Sequence, residues 1–598
     1  MHLDTVTIDN FRSFNRIEIP LSRDLTVLVG ENNGGKSNAI DAIRLITTPL
    51  GGRREIYADL TDIRFGSPER KFEIEALFSN LSPPQQGRLI SATTDLSLKS
   101  ARFGLTYDAS TNSYPVRPTL WAGKAKGTPE PGCHEMIRHV YLPPLRDAKW
   151  ALASGNPTRI YSLLKHFLGD GDPDELARRL ARNATDPILD KVDKAVDIGL
   201  NALTSGVRQQ VASLSFGHDE KLIDIARDLR FKLADHGIEP EDLRYSGHGY
   251  ANLLYIATIA VELEKVNNAD LTLFLVEEPE AHLHPQLQAA VLSFLEEQAE
   301  KSRIEKPDYK GPAGHVQVIV ATHSPNLSAW VESKKLVYFR SLVQVDTTQT
   351  AEKVDKEKET PIPRRATRCI PLAKLNLSDI ERRKIDRYLD VTKSAFLFGG
   401  RALLVEGIAE ALLLPIIAKK FVLKDKPEQL RLFRSAVFVP IDGVDFAPYI
   451  KLLLSPFNDV RVADRVVVMT DGDSTKAVDG RNSPGNLRKT ALEALAKDLG
   501  ASASFTAIVN TYSLETELIT AGNVDLLKTA FLELHRNSEA KWTDAVTKTG
   551  DEQAKAIQAL FETTRKGDFA QILADKISEG ASFTVPPYMI TAINALVK

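Results

Sequence analysis

A largely apolar run followed by a glycine-rich loop constrains the fold of this chain more than any other segment. Leu25–Val29 has the composition of a buried strand, and the loop Gly30–Ser37 (Gly-Glu-Asn-Asn-Gly-Gly-Lys-Ser) follows it directly. The loop matches the pattern G-x-x-x-x-G-K-[ST], whose glycines let backbone N–H groups curl around phosphates. Lys36 would add a positive charge, Ser37 a hydroxyl for Mg²⁺, and the following helix its positive N-terminal end. The pattern therefore predicts a strand-loop-helix nucleotide site at Gly30, Asn33, Gly35, Lys36 and Ser37.

Two further apolar runs end in side chains that suit the same site. Glu277 and Glu278 follow Leu273–Val276, and His323 follows Val318–Ala321 after one threonine. Glu277 would hold Mg²⁺ through its water shell, and Glu278 would polarise the attacking water. His323 could sense the γ-phosphate. Taken singly, the glutamates could be solvated carboxylates at a strand end, and a histidine after a strand is more often a core or cap residue.

A second group of acidic residues lies in the last third of the chain. Glu406 follows the apolar run Ala402–Val405, where α/β sheets place their ligands, and Glu410 lies one helical turn further on. Asp471 and Asp473 follow another apolar run in the same manner. Four clustered carboxylates repel one another unless cations bind, and oxygen-only ligands favour Mg²⁺ or Mn²⁺. Taken alone, Asp-Gly-Asp is also a common turn sequence.

The pairing of these two sites indicates an enzyme that cuts or rejoins nucleic acid under ATP control. The bulk properties set limits on that interpretation. The 598 residues exceed one hydrophobic core, and the net charge of −3 gives no overall attraction to nucleic acid, so DNA contacts must come from local basic patches or metals. The two cysteines, Cys133 and Cys369, lack C-x-x-C spacing, which argues against structural zinc. With neither a signal peptide nor a membrane-length apolar run in the sequence, we expect a cytoplasmic protein.

The nucleotide motifs resemble the ABC-type ATPase heads of the SMC, RecF and OLD families. Ile8–Phe14 is similar to their first-strand motif, which implies that Arg12 approaches the phosphates. In these families a signature loop completes the site of the opposite subunit, and Tyr245–Tyr250 is the best candidate for it. Ser246 and Gly247 match that loop, whereas the positions after them depart from it. Gln85 and Gln86 read as an ordinary turn, and the family's metal-watching glutamine stays unassigned.

The acidic motifs resemble the Toprim domain, and two C-terminal segments are similar to motifs of OLD-family nucleases. The resemblance of Ser513–Leu518 implies that Glu515 is a further metal ligand, although a first-turn helix carboxylate is nearly as good an interpretation. The resemblance of Arg565–Ala570 implies that Lys566 stabilises the pentavalent phosphate. Lys566 could also be a solvated surface lysine.

An ABC head followed by a Toprim domain is the arrangement of the OLD family. The resemblance implies an α/β protein, specifically an ATP-binding, metal-dependent DNA endonuclease that works as a homodimer, with a helicase as a possible partner. The two-metal site would consist of Glu406, Glu410, Asp471, Asp473 and Glu515, with Lys566 adding transition-state charge. The expected domains are the N-terminal ATPase lobe (1–150), a helical and dimerising insertion (151–240), the C-terminal ATPase lobe (241–345), a linker or exposed hairpin (346–377) and the Toprim domain (378–598).

Three alternatives stay open at this point. A type II topoisomerase also combines ATP with a Toprim domain but needs a tyrosine nucleophile in a DNA-binding module, and none of the 14 tyrosines lies in a recognisable one. A primase would usually carry a zinc domain. A non-catalytic DNA-binding switch would use the carboxylates only to hold structural metal.

Overall fold

The structure of the chain divides into two compact units. One unit contains Met1–Tyr141, Leu273–Glu278 and Gln317–Lys598, and the other contains Leu142–Thr272 and Pro279–Val316. The structure is a computed structural model that describes residues 1–50, 52, 54–110, 115–144, 160, 161, 164, 167, 168, 171–180, 221–228, 232, 233, 241, 242, 248–264, 269–281, 283–304, 311–345, 363–389, 395–477 and 482–598. The Lys36 loop, Glu277, Glu278, His323 and the acidic group around Glu406 all belong to the first unit.

The described strands occur in three main sheets. Their bounds are β1 (His2–Phe11), β2 (Phe14–Pro20), β3 (Leu25–Gly30), β4 (Thr48–Pro49), β5 (Lys71–Ser79), β6 (Ser100–Asp108), β7 (Thr119–Ala122), β8 (Ile137–Leu142), β9 (Lys232–Leu233), β10 (Glu241–Asp242), β11 (Leu271–Glu277), β12 (His315–Ala321), β13 (Leu336–Val345), β14 (Pro363–Pro371), β15 (Arg401–Val405), β16 (Val437–Pro440), β17 (Arg465–Thr470) and β18 (Phe505–Val509).

Helices follow most strands of the second and third sheets. Their bounds are α1 (Lys36–Ile46), α2 (Pro83–Arg88), α3 (Pro173–Leu180), α4 (Leu222–Asp228), α5 (His248–Glu264), α6 (Pro285–Lys301), α7 (Pro325–Ala329), α8 (Asp379–Tyr388), α9 (Ile408–Ile417), α10 (Pro427–Ser435), α11 (Ala447–Leu454), α12 (Pro484–Asp498), α13 (Leu514–Thr520), α14 (Val524–Leu534), α15 (Glu539–Thr547), α16 (Gly550–Glu562), α17 (Lys566–Glu579) and α18 (Pro587–Val597). No described helix combines the length and the apolar character that crossing a membrane requires.

The first sheet is antiparallel and alternates buried with exposed side chains. Its strand order is β2-β1-β5-β6-β7. In β5, Phe72, Ile74, Ala76 and Phe78 are buried, whereas the residues between them are less so. This period of two is typical of an antiparallel sheet with one face on a core.

The second sheet carries the glycine loop. Its order is β14-β13-β3-β12-β11-β8-β4, with β3 parallel to both β12 and β13. Every residue of β3 and β11 is buried, which explains why both strands read as continuous apolar runs rather than alternating ones. The loop and α1 follow β3, and Ala39, Ile40 and Ile43 lie on the buried side of α1.

The third sheet is parallel throughout and carries the acidic group. Its order is β16-β15-β17-β18, so β15 and β17, which precede Glu406 and Asp471, are central neighbours. Helices α9 and α13 to α18 share a core with this sheet that includes Leu403, Val467, Phe531 and Trp542. The predicted α/β fold class is confirmed.

Three predicted segments can be compared with the structure. Gln85 and Gln86 lie in helix α2 rather than in a turn, and Gln85 is buried because its side-chain oxygen caps Ser82 N. Pro363–Pro371 lies in the segment predicted as linker or exposed hairpin, and it forms β14, which pairs antiparallel with Val337–Val345 of β13 and buries Ala366, Cys369 and Ile370. The predicted helical insertion (151–240) contains α3, α4 and the two-residue strand β9, and most of it lies outside the described residues.

Candidate functional site

The glycine loop has backbone conformations that few other residues could adopt. Gly30 and Gly35 have φ values of +137° and +94°, and Asn33 has +60°. A Cβ on Gly30 would also lie 2.1 Å from the carbonyl oxygen of Phe339 on the neighbouring strand β13. Because a side chain at Gly30 is excluded by both conformation and space, the loop pattern is dictated by backbone geometry.

Lys36 is buried and fully engaged at the start of α1. Its Nζ donates hydrogen bonds to the carbonyl oxygens of Gly30 (2.8 Å) and Glu31 (2.9 Å), and lies 3.2 Å from His323 Nδ1. Burial lowers the pKa of His323, and the nearby Lys36 charge lowers it further. His323 is therefore neutral near pH 7 and can accept a hydrogen bond from the ammonium group.

Ser37 and Glu277 form the part of the loop site that could hold a cation. Ser37 Oγ donates to Glu277 Oε2 at 2.8 Å, and the Tyr141 hydroxyl donates to Glu277 Oε1 at 3.2 Å. Burial raises the pKa of Glu277, and the charge of Asp41 adds to that increase. A hydroxyl and a carboxylate side by side match the oxygen ligands that Mg²⁺ uses at phosphate sites.

Glu278 and His323 lie on the open side of the loop. Glu278 has a φ of +46°, and its N–H donates to the Ala321 carbonyl oxygen at 2.8 Å. Its Oε1 lies 3.9 Å from His323 Nε2. A left-handed backbone is strained for glutamate, and such strain is often found at functional positions.

Arg12 is held beside α1 by acidic partners. Its Nη1 donates to Asp41 Oδ2 at 2.7 Å and its Nε donates to Asp62 Oδ1 at 2.8 Å, while Asn38 accepts a longer bond from Nη1 at 3.3 Å. The guanidinium thus flanks the first turns of the helix that follows the loop. Ser246 and Gly247, the candidate signature-loop residues, lie outside the described residues.

Glu406 is the most constrained carboxylate of the acidic group. Its Oε1 accepts hydrogen bonds from Asp471 N (2.8 Å), from Arg488 Nη1 (2.8 Å) and from the Thr470 hydroxyl. Arg488 also bonds the Thr470 hydroxyl. With Oε1 saturated, Oε2 is the atom that Glu406 can offer to a cation.

Asp471 is fixed by the neighbouring strand end. Asn510 Nδ2 donates to Asp471 Oδ1 at 2.7 Å, and Gly472 N donates to Asn510 Oδ1 at 2.8 Å. A Cβ on Gly472 would lie 2.2 Å from the Asn510 carbonyl oxygen, and one on Gly485 would lie 2.2 Å from the Asp471 carbonyl oxygen. Glycine is therefore required in Asp-Gly-Asp by close packing, although Gly472 does not have a positive φ.

Glu410 and Asp471 show the electrostatic cost of the cluster. Burial raises the pKa of Glu410 to about 7, and the charges of Glu515 and Glu406 contribute to the increase. Burial likewise raises the pKa of Asp471 well above its ordinary value, with Glu406, Glu410 and Glu515 adding to it. Carboxylates that perturb one another in this way are typical of sites that bind cations.

Glu515 and Lys566 join the cluster from the C-terminal helices. Ser513 caps the start of α13 and so places Glu515 in its buried first turn. Glu515 Oε1 lies 3.0 Å from Lys566 Nζ, at the first residue of α17. A lysine at a helix N-terminus is unfavourable for the helix dipole, and the ion pair with Glu515 offsets that effect. Burial lowers the pKa of Lys566, but the charges of Glu515, Asp471 and Glu410 outweigh burial and raise it overall, so the amine stays positive.

Asp473 lies at the border of the group rather than at its centre. Its Oδ1 accepts a hydrogen bond from Lys476 Nζ at 2.9 Å, and its Oδ2 lies 3.8 Å from Arg488 Nη2. The structure thus brings Glu406, Glu410, Asp471, Glu515 and Lys566 together and links Asp473 to them through Arg488.

Three residues of this site were missed by the sequence analysis. Asn510 follows β18, so the rule that ligands lie at the carboxyl ends of parallel strands could have found it. Arg488 lies within α12 and carries no comparable sequence signal. The Tyr588 hydroxyl in α18 is buried beside Asn510, and its pKa is raised by burial and by the charges of Asp471 and Glu410.

Comparisons with known proteins agree with the two-site architecture. The family model for an AAA ATPase domain matches residues 1–114 and 173–327. Endonuclease GajA of Bacillus cereus (strain VD045) is 21% identical over 498 residues, which cover 79% of this chain and 75% of GajA. The Old nuclease of Escherichia phage P2 is 24% identical over 351 residues, which cover 55% of this chain and 57% of that protein. The chain is related to the OLD-family ATPase-nucleases.

A solved structure is also similar in sequence to part of this chain. The solved C-terminal region of the Burkholderia pseudomallei OLD protein is 26% identical and covers 33% of this chain and 98% of that structure, with a TM-score of 0.26. The relatives are nucleases and the matched domain model is an ATPase domain, so the comparisons support an OLD-family enzyme that combines both.

Proposed function

We propose that this chain is an ATP-binding, divalent-metal-dependent DNA endonuclease whose cutting site is the acidic cluster. The observation that carries this proposal is the convergence of Glu406, Glu410, Asp471 and Glu515 with Lys566 beside the ends of the parallel strands β15 and β17. Buried carboxylates of this density are unfavourable without cations. The nuclease names of the relatives support the same conclusion.

The donor atoms of the cluster are of the kind that Mg²⁺ and Mn²⁺ bind, although among the described residues no three of these carboxylates place oxygen atoms within 4.8 Å of one another. All of the acidic ligands offer oxygen, the donor type that these hard cations prefer. Glu406 Oε2, Glu410, Asp471 and Glu515 would hold the cations, with Asp473 at the border. Such cations, when bound in a pair, activate water and stabilise the leaving oxygen of a phosphodiester.

The remaining side chains orient these ligands and balance their charge. Arg488 fixes Glu406 by binding Oε1, and Asn510 fixes Asp471 by binding Oδ1. Lys566 stays cationic beside Glu515 and would stabilise the extra negative charge of the phosphate in the transition state. The amine and the carboxylates together would therefore define the place of the scissile phosphate.

The loop site would bind ATP and control the cutting site. Lys36 would contact the phosphates, Ser37 and Glu277 would hold Mg²⁺, and Glu278 would polarise water beside His323. A homodimer in which Ser246 and Gly247 complete the partner's site, and a helicase partner, stay predictions of the family resemblance.

Incubation of supercoiled plasmid with the purified chain and Mn²⁺ or Mg²⁺ tests the proposal. We expect nicked and linear DNA with no protein attached, and we expect EDTA to prevent it. Protein covalently attached to DNA ends would instead indicate a topoisomerase. Binding without any cutting in either metal would indicate a non-catalytic switch and would refute the nuclease.

A further inference from the structure

Strand β13 lies directly against the glycine loop. Phe339 of β13 is paired with Gly30, and a Cβ on Gly34 would lie 3.2 Å from the same Phe339 carbonyl oxygen that excludes a side chain at Gly30. Because backbone meets backbone here, the loop cannot shift toward β13 without displacing Phe339.

The next residue, Arg340, reaches into the third sheet. Its side chain is 8% exposed, its Nη1 donates to the Arg461 carbonyl oxygen at 2.9 Å, and its Nη2 forms an ion pair with Asp464. Asp464 immediately precedes β17. One buried guanidinium thus joins the strand beside the loop to the strand that precedes Asp471.

The same ion pair also lies at the start of β15. Asp464 N donates to the Gly400 carbonyl oxygen at 2.7 Å, and a Cβ on Gly400 would lie 2.8 Å from Asp464 Oδ2. Gly400 immediately precedes β15, and Glu406 immediately follows it. At about 3.3 Å per residue, the five residues of β15 and the six of β17 span roughly 17–20 Å between the ion pair and the carboxylates.

Phosphate binding would change the hydrogen bonds at the loop end of this connection. Lys36 donates to the carbonyl oxygens of Gly30 and Glu31, and Gly30 is the residue opposite Phe339. A triphosphate competes for the same ammonium protons, because charge-assisted bonds to phosphate are stronger than bonds to neutral carbonyls. The loop backbone that contacts β13 therefore accepts different hydrogen bonds with and without bound nucleotide.

A second contact connects the loop to β14. Asn38 Nδ2 donates to Ser13 Oγ at 2.9 Å, and the Thr367 hydroxyl donates to the same oxygen at 2.8 Å. A Cβ on Gly35 would lie 2.8 Å from the Thr367 side chain. Since Arg340 and Arg368 are register partners in the β13–β14 pair, both contacts meet in one hairpin.

We propose that the Arg340–Asp464 ion pair couples nucleotide binding at the Lys36 loop to the geometry of the carboxylate cluster. The inference rests on the proposed function, because it assigns a route for control of that cutting site. Coupling between two binding sites is reciprocal, and typical allosteric couplings change affinity by about 5- to 150-fold. The structural alternative is a bridge that only fastens the two sheets together.

The test compares Arg340→Met and Asp464→Asn with the wild-type chain. Plasmid nicking is measured with and without a non-hydrolysable ATP analogue, and the affinity for a fluorescent nucleotide is measured separately. We expect the ratio of the two nicking rates to collapse to within about 2-fold of one in both variants. Nicking without nucleotide and nucleotide affinity should stay within about 3-fold of wild type, since neither residue belongs to a site.

Lys384→Met serves as the matched control. It removes the exposed Lys384–Asp445 ion pair of α8, which does not involve β13. The control should keep the wild-type ratio. The coupling would be overturned if Arg340→Met or Asp464→Asn kept the wild-type ratio of nicking rates with and without the analogue. A lower melting temperature alone would show that the ion pair only fastens the two sheets together. If the buried Arg340→Met fails to fold, Asp464→Asn decides the matter, because the Asp464 side chain is 61% exposed.

The inference and the proposed function fail in different ways. A wild-type chain that nicks DNA equally with and without the analogue refutes the coupling and leaves the nuclease intact. A wild-type chain that does not nick refutes the nuclease. The coupling is then measured as the change in Mn²⁺ affinity of the cluster when the analogue is added. The Asp471→Ala variant gives the Mn²⁺ binding at the loop, which is subtracted. An equal Mn²⁺ affinity in both conditions would overturn the coupling as well.

Discussion

The loop site and the acidic cluster achieve a defined geometry by opposite means. At the loop, glycine backbone and carbonyl oxygens surround one buried lysine, and the amine is satisfied by Gly30, Glu31 and His323. At the cluster, the side chains carry an excess of negative charge, which Arg488, Lys566 and, at the border, Lys476 partly offset. The first site is ready for an anion, whereas the second needs cations.

The difference also explains where each site stores its unfavourable energy. The loop holds it in positive φ values and close backbone contacts, which depend little on pH or metal. The cluster holds it in raised carboxylate pKa values, which depend on both. Changes in pH or metal concentration should therefore affect the cluster more than the loop, and mutations at one site should leave the other largely unchanged.

The largest effect is expected from removing a central carboxylate. Glu406→Ala or Asp471→Ala should lower metal-dependent nicking by at least about 100-fold, since bound cations contribute several kcal/mol of charge stabilisation. Nucleotide affinity should not change. A nicking assay and a nucleotide titration on the same preparations check this, and wild-type nicking in either variant would remove the cluster from the mechanism.

Changes at the loop should give the reverse pattern. Lys36→Ala should weaken nucleotide binding by about 10- to 100-fold, the size of a lost hydrogen bond to a charged group. Glu278→Gln should bind ATP but hydrolyse it slowly. Both variants should retain metal-dependent nicking in the absence of nucleotide. Normal ATP hydrolysis in both would show that the loop assignment is wrong.

Lys566 tests whether the cluster uses a cation in the transition state. Lys566→Ala should lower single-turnover nicking at saturating DNA by about 10-fold or more, with little change in DNA affinity. A mere electrostatic contact to DNA would instead reduce affinity and its salt dependence while the rate of the bound complex stays the same. Measurements at two salt concentrations distinguish these results.

Glu410 gives the smallest and most specific prediction, a stability effect in the absence of metal. Its pKa lies at about 7 in the folded chain against an ordinary value of 4.5. Its contribution to stability is therefore present below pH 4.5 and is lost as the pH rises toward 7. Glu410→Gln should raise the free energy of unfolding by roughly 1–3 kcal/mol at pH 8, and by much less at pH 5. Urea denaturation in EDTA at both pH values checks this, and an equal gain at both would contradict it.

The strands that carry both sites could be predicted from the sequence because their apolar runs are continuous. The runs at Leu25, Leu273, Val318, Ala402 and Val466 all form strands with the expected residues at their ends. β14 was harder to predict, because Pro363–Pro371 contains polar and charged residues that face outward on an edge strand. Local composition cannot reveal that β13 supplies a partner along its full length.

The supporting side chains were harder to predict than the ligands. Glu406 and Asp471 follow strands, whereas Arg488 reaches Glu406 from a helix 82 positions away in sequence. Its role depends on the packing of α12 against the sheet, which no local pattern encodes. Lys566 is the intermediate case, since a lysine at a helix start is a weak sign that a carboxylate lies nearby.

The two glycines behind Asp471 have a consequence for how this cutting site could be inherited or transplanted. A methyl group at Gly472 or Gly485 would collide with the backbone on which Asp471 and Asn510 depend. A protein engineer who grafts only the acidic residues onto another parallel sheet would therefore obtain carboxylates that stand too far apart. A graft of this site must therefore include glycine at both positions as well as the charged residues.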